Sequence, residues 1–137
     1  GGLITAGGVL THLGITPEIM RENFERIEQI VNANPDSFAA LDFGILCPIP
    51  GSKSFEYLRN PELAESDAKK LGLRVNRPYL DDVKGRFISE DRLNMDELID
   101  SFVTGCCPDI SLSLVREYEQ KIRDLAEKHN IVLGGGV

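Results

Sequence analysis

The chain carries only three cysteines, Cys47, Cys106 and Cys107, and two of them are adjacent. An odd number without paired spacing makes no disulfide framework and points to a reducing, cytoplasmic setting. Nowhere do about 18 apolar residues follow one another, so no transmembrane helix is expected. No basic-then-apolar leader precedes the domain, and no secretion signal is expected. A basic excess is missing as well. Fifteen Lys and Arg stand against 22 Asp and Glu, a formal net charge of −7, which argues against nucleic acid or an anionic membrane as partner. The densest basic stretch, Arg74, Arg77, Lys84 and Arg86, is interrupted by Asp81 and Asp82 and reads as a solvated, mixed-charge segment. The chain also begins without Met, at Gly1-Gly2-Leu3-Ile4, as a piece of a longer protein would.

The usual chemical motifs are incomplete. Gly51-Ser52-Lys53-Ser54 lacks the adjacent Gly-Lys of a phosphate loop, and Pro48 and Pro50 remove two backbone donors. Gly7-Gly8 lacks the third glycine of a dinucleotide fingerprint. Cys106 and Cys107 are too close in sequence to chelate one zinc in the usual way and read as structural thiols at a helix end. Cys47 falls where a thiol faces a ligand or simply fills the core. His12, near the end of an apolar segment and before a helix, is a candidate ligand-contacting imidazole. His129 favours the dipole at the end of its helix. Asp42 points either into a cleft or outward.

What is present is ordinary for one globular α/β domain: 42% hydrophobic and 27% charged residues over 137 positions. Residues 3–13 read as a strand with a close backbone approach at Gly7 and Gly8. Thr16-Pro17-Glu18 then starts a helix, with Thr as cap, Pro in the first turn and an acid behind it. Met20, Phe24, Ile27 and Val31 give that helix its buried face. Residues 38–47 supply a second strand, and strand, helix, strand makes a βαβ unit with parallel strands.

Beyond Leu58 the chain changes character. Residues 61–71 predict a short helix ended by Gly72, and residues 73–91 an extended, loop-dominated excursion. Asn94-Met95-Asp96-Glu97 has the form of a capping box, leading a helix with Met95, Leu98, Ile99 and Phe102 that stops near Gly105. A longer helix over 111–129 places Leu114, Tyr118, Ile122 and Leu125 on one face. Asn130 closes it, and Ile131-Val132-Leu133 form a last short strand before a glycine tail. Two regions are therefore expected: a βαβ portion over 1–58 and a loop-rich, helical portion over 59–137.

The most informative stretch runs from Ala40 to Leu58, an apolar strand that stops at Pro48-Ile49-Pro50-Gly51-Ser52. A strand ending so abruptly delivers a rigid loop to the carboxyl edge of a parallel sheet, where α/β proteins place ligands. This Pro-Ile-Pro-Gly-Ser turn resembles the exit of the final barrel strand in radical S-adenosylmethionine enzymes. Leu13-Gly14-Ile15-Thr16-Pro17-Glu18 is more loosely similar to their preceding helix start. Residues 94–132 are similar to the helical tails of the cobalamin-binding branch.

The resemblance implies that this chain holds the last two units of a partial (βα)6 barrel. It implies S-adenosylmethionine and a 4Fe-4S cluster as cofactors of the intact protein, with cobalamin as a further candidate and a small molecule or peptide as substrate. By motif position Gly8, Leu10, Ile45 and Leu46 would contact the S-adenosylmethionine. His12, standing where the family has a glycine, together with Cys47, Pro48, Pro50, Gly51 and Ser52 would line the substrate pocket. The family's Cys-x-x-x-Cys-x-x-Cys is absent, so the chain by itself would hold no cluster and catalyse nothing. An exposed strand edge would promote self-association. The alternative reading is a self-contained small α/β binding or interaction domain without enzymatic activity.

Overall fold

A computed structural model describes residues 3–88 and 93–134. The expected βαβ unit is there: β1 (Ile4–Val9), α1 (Pro17–Ala33) and β2 (Phe38–Gly44), with β1 and β2 parallel. A third strand, β3 (Val132–Leu133), pairs parallel to β2, giving the order β1-β2-β3. The chain is thus α/β, with one parallel sheet and a mainly helical C-terminal region. Among the described residues no helix is long and apolar enough to cross a membrane.

Between β2 and β3 the described residues form five α-helices: α2 (Lys53–Arg59), α3 (Pro61–Lys70), α4 (Arg77–Val83), α5 (Met95–Cys106) and α6 (Leu112–Lys128). The chain divides into two compact units, and both are discontinuous in sequence. Residues 3–10, 17–45 and 113–134 form the sheet unit, while residues 11–16 and 46–112 form a helical unit inserted between β2 and α6. This division cuts across the one expected at residue 58, because α6 and β3 return to the sheet.

In the sheet unit the register pairs Gly8 with Phe43 and Val9 with Gly44, after an irregularity between Ile4 and Thr5. Residues alternate sides along a strand, so Leu41 and Phe43 share one side while Ala40 and Asp42 share the other. Leu41 is fully buried, and Met20 and Val31 of α1 are buried as expected. Phe24 and Ile27 are only half-buried. On α6 the buried face is Val115, Tyr118, Ile122, Leu125 and Ala126; Leu114, expected there, is half-buried. Phe24 of α1 meets Tyr118 of α6 edge-to-face at 5.7 Å, so the two helices lie side by side. Asn130 ends α6 at φ +54°, and Ile131 N–H reaches back to Ala126 O at 2.8 Å, a Schellman-like closure. Both strands are shorter than expected, ending at Val9 and Gly44, although Leu10 N–H still bonds Gly44 O at 2.8 Å.

The helical unit is held by caps and a compact aromatic core. Ser52, Asn60, Asn76 and Asn94 each cap a helix, accepting from the N–H of Phe55, Leu63, Tyr79 and Glu97. Helix α4 and the 3-10 turn Lys84–Phe87 occupy the stretch expected to be a loop; residues 89–91 of that stretch lie outside the described residues. Phe55 and Phe87 stack edge-to-face at 6.3 Å within a core that includes Leu58, Leu80 and Phe102. The Tyr57 hydroxyl donates to Asp67 at 2.8 Å, and Lys53 pairs with the same carboxylate at 3.2 Å. These two contacts hold the Asp67 carboxyl below the ordinary carboxylate range.

Candidate functional site

The residues singled out from the sequence fall to different units. In the sheet unit stand Gly8, Leu10 and Ile45. Gly8 lies on the same side as Phe43: a Cβ there would stand 3.1 Å from the Phe43 ring. Leu10 is buried and Ile45 half-buried. The opposite side of the sheet is lined by small residues. A Cβ at Gly134 would be 3.7 Å from the Cβ atoms of both Ala40 and Asp42, and one at Gly7 would also be 3.7 Å from Asp42 Cβ. Gly7, rather than Gly8, therefore shares that side with Asp42, whose side chain is exposed. Asp42 thus points away from the side of Leu41 and Phe43.

The helical unit holds the rest: His12, Leu46, Cys47, Pro48, Pro50, Gly51 and Ser52. The exit of β2 is fixed by a residue the sequence reading passed over. Thr11 is fully buried, and its hydroxyl accepts from Leu46 N–H at 3.0 Å. The signal was a lone hydroxyl residue between Leu10 and His12 at the end of an apolar segment, where a buried hydroxyl needs a hydrogen-bond partner. Cys47 is half-buried, and burial pushes its thiol above the ordinary value. Pro48 is buried while Pro50 and Gly51 are exposed, with Gly51 at φ +91°. Ser52 Oγ donates to Ile49 O at 2.7 Å and accepts from Phe55 N–H at 3.2 Å, so the turn and the start of α2 are one hydrogen-bonded piece.

His12 is half-buried, its Nδ1 3.2 Å from Leu13 O. Its carbonyl accepts the Cys107 thiol at 3.2 Å, and Gly14 N–H donates to Cys106 O at 2.6 Å. Cys106 and Cys107 are thus buried thiols that tie residues 11–16 to the end of α5. Burial raises both, Cys107 to about 12, although the backbone N–H groups of Gly14 and Ile15 oppose the rise. A thiol so held stays protonated at neutral pH and is a poor nucleophile or metal ligand.

Among the described residues no group of three or more His, Cys, Asp or Glu could hold a metal ion. The arginines of the basic stretch are engaged as well. Arg77 pairs with Asp81 at 3.1 Å and Glu65 at 3.3 Å, Arg86 with Glu97 at 3.8 Å, and Arg74 with Asp109. Comparison with known protein families, curated proteins and solved structures found no match.

Proposed function

We propose that this chain is the closing portion of a radical S-adenosylmethionine barrel and forms pocket wall, not catalytic machinery. The observation that carries the reading is the asymmetry of the sheet. Its described strands are parallel, α1 residues Met20, Phe24 and Ile27 share a cavity lining with Phe43 on one side, and the other side bears Gly7, Ala40, Asp42 and Gly134. A parallel sheet is normally covered on both faces. A barrel wall instead turns helices outward and its other face toward a packed or ligand-filled interior. The Pro48–Ser52 turn follows the central strand in sequence, the position from which α/β folds draw ligand-binding loops.

On this reading Gly8, Leu10, Ile45 and Leu46 contact S-adenosylmethionine, and His12, Cys47, Pro48, Pro50, Gly51 and Ser52 shape the substrate's surroundings. A 4Fe-4S cluster would be held by residues outside this chain and would supply one-electron chemistry there. The residues of this chain bind, orient and exclude water. The unpaired edge of β1 is where a further strand would join, and in isolation that edge promotes self-association.

The test begins with the reading frame that encodes the chain. A Cys-x-x-x-Cys-x-x-Cys is expected within about 200 residues upstream, roughly one domain length. The intact protein, reconstituted with iron and sulfide and given a reductant, should release 5′-deoxyadenosine, and the 137-residue chain should release none. An intact protein lacking the motif overturns the reading and leaves the self-contained binding domain.

A further inference from the structure

Beside the carboxyl ends of β1 and β2, on the side of α1, the sheet unit has a half-open cavity of about 250 Å³. Its walls are apolar: Val9, Leu10, Met20, Phe24, Ile27 and Phe43. Two polar side chains share the lining, Asn23 and Arg26. They are three residues apart on α1 and so lie on one face of the helix. Neither side chain has a hydrogen-bond or ion-pair partner among the described residues. The other lining residues carry no charge, so Arg26, exposed at the rim as Asn23 is, is the sole charge in the lining.

We propose that this cavity binds a compact apolar carboxylic acid. The charge complementarity is specific: a guanidinium presents two parallel N–H donors that match a carboxylate, and the Asn23 carboxamide adds a further donor. The volume sets the size of the remainder. At about 30 Å³ for each water-sized group, the cavity holds on the order of eight non-hydrogen atoms, which is a six-carbon acid. A hydrocarbon tail against Met20, Ile27 and Phe43 leaves water, while the carboxylate stays at the rim with Arg26. An amine would place a cation beside the guanidinium, and a neutral alcohol would forgo the charge-assisted bond. The site lies on the helix side of the sheet, so it stands or falls independently of the proposed barrel.

The experiment titrates hexanoate, hexan-1-ol and hexylamine into the 137-residue protein, followed by amide chemical shifts and calorimetry. Hexanoate should bind saturably and move the amides of Val9, Leu10, Ile27 and Phe43, while hexylamine should not bind. Arg26→Gln removes no internal contact, so the fold should persist. It should weaken hexanoate about tenfold, the loss of a charge-assisted hydrogen bond, and leave hexan-1-ol unchanged. The proposal is overturned if hexan-1-ol binds as tightly as hexanoate, or if Arg26→Gln binds hexanoate like the parent. It is also overturned if the shifts fall elsewhere, if hexanoate does not saturate, or if a second copy of the chain occupies the cavity at the concentrations used.

Discussion

Gly14 sits at φ +71°, and a Cβ there would stand 2.6 Å from Leu73 Cβ and 3.3 Å from Arg74 O. Both neighbours belong to a side-chain root or the backbone, which cannot swing away. Gly14→Ala should therefore lose about 2–4 kcal/mol, the sum of left-handed strain and overpacking. Gly51 is the contrast. It too has positive φ, +91°, but nothing lies within 4 Å of its virtual Cβ. Gly51→Ala should cost only the backbone strain, about 1 kcal/mol. Urea unfolding of the two variants checks the ordering, and equal losses would refute the close packing at Gly14. Neither difference was legible from the sequence, where both residues are glycines beside a helix start.

At the scale of elements, Ser52 is the joint between the β2 exit and α2. Ser52→Ala removes both its bond to Ile49 O and its cap on Phe55 N–H. A loss of about 1 kcal/mol is expected, read as a lower thermal midpoint. β1 makes a prediction of another kind. Among the described residues it pairs only with β2, and Leu3, Ile4 and Val9 are at least half exposed. No charge or proline guards the strand. Sedimentation should show concentration-dependent association, and Thr5→Lys, a charge placed on that edge strand, should suppress it. A monomer at every concentration would remove the edge from consideration. Much at this scale was legible: βαβ, the Asn94 box, the Asn130 closure and β3 all follow from apolar period and cap chemistry. Helix α4 was not, because seven residues are too short to show a period. Its signal lay in the cap alone, Asn76 ahead of Pro78, the same device that starts α3 at Asn60-Pro61.

Across the whole molecule, buried acids contribute to the response to alkali. The Cys107 thiol is raised from 9.0 to about 12, the Tyr57 hydroxyl from 10.0 to about 12, both chiefly by burial, and Cys106 is raised as well. Each holds its proton more tightly folded than unfolded. Their stabilisation is full below the ordinary values and is lost as pH rises through the raised ones. Urea midpoints should accordingly fall from about pH 9 towards pH 12. Cys107→Ala should be less stable at neutral pH yet show a shallower fall; an unchanged slope would mean that thiol is not protected. The sequence by itself determined the classes of element and which faces are apolar, because period, caps and turn residues act over a few positions. It also supplied the Pro48–Ser52 exit. Only the tertiary structure decided that 46–112 is an insertion, that α6 and β3 belong to the sheet, and that Gly7 rather than Gly8 shares a side with Asp42. It alone placed Asn23 and Arg26 on an apolar cavity. Those outcomes depend on strand pairing and on packing between residues up to a hundred positions apart, where no local pattern reaches.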